Sequence, residues 1–145
     1  MNGFERLAQI KQALQDLPGQ GPDIMAEAFK NLAPLIEDLN IQQLARGERA
    51  DGSILPDYSP VSVLFYGKPP GPMILRDRGD YWRGIQLVVN SNGMELIGTA
   101  HKSGMLALRY GDEVIGLQDD AIDQVSHDYL PEEITPILEK KLGIE

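Results

Sequence analysis

The sequence predicts an α+β fold, in which an antiparallel sheet built on a central hairpin at about residues 85–99 packs against N- and C-terminal helices. Apolar residues recur at helical spacing near both ends of the chain. Apolar and β-branched residues flank Asn90-Ser-Asn-Gly93, which is a hairpin signal because Asn and Gly tolerate positive φ. Pro and Gly are concentrated in residues 56–72, so regular structure is expected on either side of that region.

Composition indicates the size of the fold and limits the kinds of partner that the protein can bind. At 145 residues and 42% apolar composition the chain can bury a core. The net charge of −9 disfavours broad binding to nucleic acid or to an anionic membrane, and only Arg76, Arg78 and Arg83 suggest a local basic patch. The absence of cysteine excludes disulfides and thiolate chemistry. We therefore predict a single domain, 1–145, with a helical N-terminal part (1–47), a loop and β core (48–118) and a helical C-terminal part (119–145).

Two helices are predicted in the N-terminal part. Residues 4–17 form an amphipathic helix that stops at the breaker cluster Pro18-Gly-Gln-Gly-Pro22, and its apolar face serves either the core or a neighbouring subunit. Asp23 is expected to cap a second helix, which Pro34 kinks or divides. Gly47 is expected to end that helix in a left-handed turn.

The stretch Ala50-Asp-Gly-Ser-Ile54 looks like half of a calcium-binding loop. In the register that makes Gly52 the sharp-turn glycine, the remaining ligand positions fall on residues that cannot serve, namely Gly47, Arg49 and Tyr58. The sequence therefore predicts a turn through Asp51-Gly52 that leads into a short strand at Ser53–Leu55.

Residues 56–72 hold five prolines and two glycines and predict an irregular region. Ser59 is expected to cap a short helix that has Pro60 at its first position and carries Val61, Leu64 and Phe65. The following Lys68-Pro-Pro-Gly-Pro72 is expected to be extended, because successive prolines lack amide hydrogens and block helix formation. Such a loop is either a binding arm or a stiff connector, and the sequence leaves both open.

Short elements follow on both sides of the hairpin. Asp77 is expected to cap a helix at Arg78–Arg83, which carries Tyr81 and Trp82 and ends at Gly84. The hairpin pairs Ile85–Val89 with Leu96-Ile97. Met105–Tyr110 predicts a short helix that Gly111 stops, and Val114-Ile115 predicts a last short strand before Gly116.

The C-terminal part predicts two more helices. Asp119 or Asp120 caps the first, which ends at Leu130-Pro131, and Pro131 opens the second. Glu132 and Glu133 in its first turn, with Lys140 and Lys141 in its last, match the helix macrodipole.

No pattern in the sequence predicts a catalytic or metal site. Asp77 and Asp80 alone underfill a site for a hard cation, and His101 and His127 lack the further ligands that zinc requires. Ser103 stands next to a glycine but outside any Gly-x-Ser-x-Gly motif. We therefore expect no enzyme, no metal and no cofactor.

Several short motifs follow one another in a fixed order: Tyr58-Ser-Pro60, Lys68, Leu75-Arg-Asp-Arg-Gly-Asp-Tyr-Trp-Arg-Gly84, Arg109-Tyr-Gly111 and Ile115-Gly-Leu117. This order resembles phage neck and tail-completion proteins. Those families carry a Tyr-Ser, Thr, Lys loop, then Leu, Asp-Thr-Gly, a large residue and Ser before a strand pair, then a Tyr or His near a Gly. Asp77-Arg-Gly79 replaces Asp-Thr-Gly, and Gly84 stands where a serine is common. Leu39–Leu44 and Ala50–Gly52 are similar to uncharacterised phage proteins of gut bacteria.

What this resemblance implies is a virion structural protein of the tail-completion or head–tail connector type, made in the bacterial host cytoplasm. It would assemble as a ring with itself and with neighbouring virion proteins, without a small-molecule ligand, a membrane or sequence-specific nucleic acid. The expected interface residues are Tyr58, Lys68, Pro69, Pro70, Arg76, Arg78, Tyr81, Trp82, Arg83 and Tyr110. The expected caps and turns are Asp77, Gly79, Gly84, Asn92, Gly93, Gly111 and Gly116.

Two other classes of function stay open on the sequence. One is a small acidic binding or inhibitor module of phage origin, which clustered carboxylates would favour, although they are spread along this chain. The other is a metal-dependent hydrolase or nuclease, which a rise in melting temperature with divalent ions would favour.

Overall fold

The structure is a computed structural model that describes residues 21–90 and 93–142. Its helices precede and follow a two-stranded antiparallel sheet, so the predicted α+β class is confirmed. The elements, in chain order, are α1 (Gly21–Ala45), α2 (Pro60–Phe65), α3 (Asp80–Arg83), β1 (Ile85–Asn90), β2 (Gly93–Gly98), α4 (Ser103–Tyr110), α5 (Asp119–Gln124) and α6 (Leu130–Leu142). None of the helices in the described ranges is long and apolar enough to cross a membrane.

Helix α1 differs from its prediction at its start and in its middle. Its described part starts at Gly21, so Asp23 lies within the helix instead of capping it. Pro34 lies inside α1 and does not divide it. The helix ends as predicted, because Gly47 adopts a φ of 71° and its amide donates to the carbonyl of Leu44 at 2.8 Å. The predicted helix at 4–17 lies outside the described residues.

The chain divides into two compact units, each with its own core. One takes in the described residues of Met1–Glu37, Leu87–Leu96 and Asp119–Glu145, and the other consists of Asp38–Gln86 and Ile97–Gln118. The first unit buries Ile24, Ala28, Phe29, Leu32, Ile36, Val125, Leu130, Ile134 and Ile137. The second buries Leu44, Leu55, Tyr81, Ile85, Leu106 and Val114. The single-domain organisation stays a prediction.

The C-terminal helices of the first unit are continuous, which corrects the predicted break at Leu130-Pro131. A π-helical turn, Val125–Tyr129, joins α5 to α6, and the amide of Leu130 donates to the carbonyl of Val125. This widened turn directly precedes Pro131, which has no amide hydrogen to donate, so the helix continues past the proline. Glu132 and Glu133 lie in the first turn of α6, as predicted.

The hairpin is confirmed, and its strands are β1 and β2. Gly84 precedes β1 and ends α3, and a β-carbon there would come within 2.7 Å of the amide nitrogen of Ala100. The carbonyl of Gly84 accepts hydrogen bonds from the amide and the hydroxyl of Thr99, both at 2.8 Å. Gly93 opens β2 with a φ of 145°, whereas Asn92 lies outside the described residues. A glycine is therefore required at position 84 by close packing.

The predicted strand at Val114-Ile115 is replaced by a 3-10 turn at Asp112–Val114 and an extended segment. The buried side chain of Asn40 donates to the carbonyl of Val114 at 3.2 Å and accepts from the amide of Gly116 at 2.9 Å. Buried Gln43 donates to the carbonyl of Gly116 at 3.1 Å and accepts from the amide of Gln118 at 2.9 Å. Two side-chain amides thus replace a neighbouring strand. We call Asn40 and Gln43 the amide clamp.

Candidate protein-interaction surface

The proline-rich region forms a loop, residues 58–71, that we call the arm. Its two ends lie side by side, because the amide of Tyr58 donates to the carbonyl of Gly71 at 3.0 Å. An antiparallel bridge between Asp57 and Pro72 extends this closure, and so does a 2.8 Å bond from the amide of Met73 to the carbonyl of Pro56. The arm is therefore an Ω-type loop, which is fixed at its base. Pro69 and Pro70 are exposed on it.

Helix α2 lies on the arm and begins as the sequence predicts. Ser59 caps it by accepting a hydrogen bond from the amide of Ser62 at 3.1 Å, and Pro60 occupies its first turn. All six residues of α2 are described, and none of them is buried. Four apolar or aromatic side chains on α2 and directly after it are 56–76% exposed: Val61, Leu64, Phe65 and Tyr66. We call these four the α2 patch.

A cluster of aromatic and basic side chains supports the base of the arm. Lys68 donates to the carbonyl of Arg76 at 3.1 Å, and its ammonium lies 5.7 Å from the ring centre of Tyr58. The Arg76 guanidinium lies 5.3 Å from the ring of Trp82, within the range of a cation–π interaction. Four of the ten predicted interface residues therefore meet at the base of the arm, where Tyr58, Lys68 and Trp82 are half-buried and Arg76 is exposed.

The chain turns sharply in this cluster at Leu75. Its φ of 54° is the only positive value at a non-glycine residue in the described ranges. On one side of this turn, the amide of Ile74 donates to the hydroxyl of Tyr58 at 3.2 Å, and its carbonyl accepts from Trp82 Nε1 at 2.8 Å. The left-handed conformation costs leucine about 1–2 kcal/mol, which these hydrogen bonds offset. The sequence carries no signal for this turn.

The structure corrects the predicted cap of helix α3, which follows the cluster. Helix α3 begins at Asp80, and Gly79, with a φ of 83°, takes the cap position that we predicted for Asp77. Asp77 instead lies 3.6 Å from Lys68. The guanidinium of Arg83 donates to the carbonyl of Arg78 at 3.3 Å, and both arginines are exposed. The left-handed glycine therefore starts the helix, because it provides the turn without a side-chain cap.

Tyr81 is a core residue, which corrects its place among the predicted interface residues. Its side chain is 1% exposed, and its hydroxyl has no hydrogen-bond partner among the described residues. Burial raises the pKa of the Tyr81 phenol to about 12. A residue so enclosed contributes to folding and is not available to a partner.

Helix α4 presents a second exposed apolar surface. Leu108 is 90% exposed and Met105 is 58% exposed, and they lie three positions apart on the helix. Tyr110, the last residue of α4, is half-buried, and its carbonyl accepts a hydrogen bond from Arg49 Nε at 2.8 Å. Gly111 ends the helix as predicted. The sequence indicated this helix, but periodicity alone could not show which of its apolar residues stay uncovered.

The residues considered for catalysis or metal binding are dispersed. Asp77 is paired with Lys68, and Asp80 lies 3.5 Å from Lys102. Across residues 21–90 and 93–142, no group of three His, Asp or Glu side chains is placed to hold a metal ion. Ser103 is buried at its hydroxyl.

The chain matches no protein-family model, no curated protein and no solved structure.

Proposed function

We propose that this protein is a phage virion structural protein of the tail-completion or head–tail connector type, which assembles through protein–protein contacts. The observation that carries the proposal is the α2 patch, in which Val61, Leu64, Phe65 and Tyr66 are 56–76% exposed on one short helix and its C-cap. Contiguous exposed apolar side chains mark interaction sites on folded proteins, because a partner that covers them removes apolar surface from water, which is favourable.

The way the arm is held supports the same role. Short helices are unstable alone in water, and α2 buries none of its own residues. It is nevertheless placed by its serine cap, by the closed base of the arm and by the contacts of Lys68 with Tyr58 and Arg76. A surface ordered before binding loses less conformational entropy when a partner covers it. The arm therefore fits a binding role better than that of a connector.

The resemblance of Tyr58–Leu117 to neck and tail-completion proteins supports the phage context. That context supplies the expected partners, which are other copies of this chain and neighbouring virion proteins. The net charge of −9 is compatible with a protein that lines or borders a path for DNA without binding it. No enzyme activity, cofactor or small-molecule ligand forms part of this proposal.

The test is the mass of the protein in solution, measured by light scattering over a concentration series. We expect a discrete oligomer, or a monomer that joins an oligomer when neighbouring virion proteins are added. The variant Phe65→Ser should fold normally by circular dichroism and lose this association, because Phe65 supports no contact in the core. A chain that stays monomeric at every concentration and co-purifies with no virion protein would contradict the proposal.

A further inference from the structure

We infer that the α2 patch docks on the exposed surface of α4 in a second copy of this chain, so that copies associate head to tail. This inference rests on the proposed function and names the partner of the arm. We call the second surface the α4 surface and define it as Met105 and Leu108 together with Asp112 and Glu113, which follow the helix. Both surfaces belong to the same compact unit, so every copy carries one of each.

Both surfaces carry large apolar side chains that are exposed. Leu64 and Phe65 on α2 are both 76% exposed, and Leu108 on α4 is 90% exposed. Each surface therefore offers apolar side chains that the second unit leaves in water. Contact between them would remove both from solvent, which is the main driving force of protein association.

Charge selects α4, and not a second arm, as the occupant of the α2 patch. Arg76, Arg78 and Arg83 follow the arm, and none of them forms an ion pair with a carboxylate in the described part of the chain. The neighbouring Asp77 and Asp80 are paired with Lys68 and Lys102. Asp57 at the base of the arm is exposed and unpaired among the described residues, and it offsets only one of these three charges. Contact between two arms would consequently bring net positive charge against net positive charge, which is unfavourable.

The α4 surface carries the opposite charge. Asp112 and Glu113 are exposed, and among the described residues neither forms an ion pair with a basic side chain. Arg109 on this helix is exposed, and its contact with the ring of Tyr110 at 5.6 Å does not neutralise its charge. The two carboxylates outnumber this one arginine, so the net charge beside Met105 and Leu108 is negative. A second copy therefore offers the arm both an apolar helix face and unpaired carboxylates.

The resulting contact is heterologous, since it joins two different surfaces. Repetition of a heterologous contact produces a closed ring or an open filament, according to the rotation between neighbouring copies. The ring outcome agrees with the proposed function, and no further surface is needed to propagate the assembly.

The experiment uses two full-length variants, Leu64→Asp and Leu108→Asp, studied alone and as an equimolar mixture by light scattering. The first retains an intact α4 surface and the second an intact α2 patch. We expect each variant alone to be monomeric where the wild-type chain self-associates, and the mixture to form a dimer that cannot grow. As a matched control, Ile54→Asp changes another exposed apolar residue of the same unit, 64% exposed, and should associate like the wild type.

Charge reversal tests the selection of α4 separately. Arg78→Glu should weaken self-association by about tenfold or more, and a mixture with Glu113→Lys should recover association between the two variants. The inference is overturned if Leu108→Asp associates like the wild type, or if the two Asp variants do not combine. In that case an oligomeric wild-type chain would leave the proposed function intact. A wild-type chain that is monomeric at every concentration overturns the inference, and the proposed function fails as well only if it also joins no virion protein.

Discussion

Two segments of the same compact unit lack regular sheet pairing, and they are held in opposite ways. The segment 114–118 is bonded by the buried amide clamp, Asn40 and Gln43, whose side chains are 0% and 1% exposed. The arm is bonded only at its base, and its helix buries no residue. The first arrangement stabilises the fold, and the second keeps apolar surface available. Substitutions in the clamp should therefore act on stability, and those on the arm should act on association.

The largest effect is expected for Gln43→Leu in the clamp. Leucine has a similar volume but leaves the carbonyl of Gly116 and the amide of Gln118 without partners, which should lower the free energy of unfolding by about 2–4 kcal/mol. Urea denaturation measures this loss. The matched control is Gln42→Leu, which removes only an exposed bond to Asp38 and should change stability by about 0.5 kcal/mol or less. Equal losses in the two variants would refute a special role for the clamp.

A pH-dependent effect is expected at Tyr81 in the core. Its pKa rises from 10.0 to about 12 on folding because burial disfavours the phenolate. The unfolded state therefore loses its proton first, and stability that is fully present below pH 10 is lost as the pH rises through 12. By pH 12 the loss should be on the order of 2 kcal/mol.

The variant Tyr81→Phe isolates this contribution, because it cannot ionise. Its urea denaturation midpoint should fall less than that of the wild type between pH 10 and 12. Near neutral pH the variant should be as stable as the wild type or slightly more so, since the hydroxyl it removes has no partner among the described residues. Parallel pH profiles for the two proteins would show that Tyr81 titrates normally.

A smaller effect is expected at Leu75, where the base of the arm turns. Leu75→Gly should be more stable than Leu75→Ala by about 1 kcal/mol, because glycine adopts a φ of 54° without steric cost. At ordinary positions the order is the reverse, with alanine the more stable. The same pair of changes at Leu64 in α2 provides that control. If alanine were also preferred at position 75, the turn would not carry strain.

The smallest effect on global stability is expected for Ser59→Ala. Removal of the cap should lower the free energy of opening of α2, as measured by local hydrogen exchange, by about 0.5–1 kcal/mol. The midpoint of global urea denaturation should hardly move, because α2 buries no residue and therefore contributes no core packing to the unit. A clear shift of the global midpoint would show that the arm is part of the cooperative core, and the contrast between arm and clamp would fail.

Local signals in the sequence predicted the elements that depend on nearby residues. The Ser59 cap, the proline at the start of α2, the left-handed stop at Gly47 and the hairpin turn each require only a few neighbouring residues, and the structure agrees with them where it describes them. The same holds for Glu132 and Glu133 in the first turn of α6.

Tertiary structure decided the features whose partners are far apart in the chain. The segment at 114–118 is not a strand because Asn40 and Gln43, more than 70 positions away, provide its hydrogen bonds. Tyr81 became a core residue and Leu108 an exposed one, although periodicity gave no reason to separate them. Sequence alone determines backbone preference over a few residues, whereas burial and long-range hydrogen bonding depend on which segments the fold brings together.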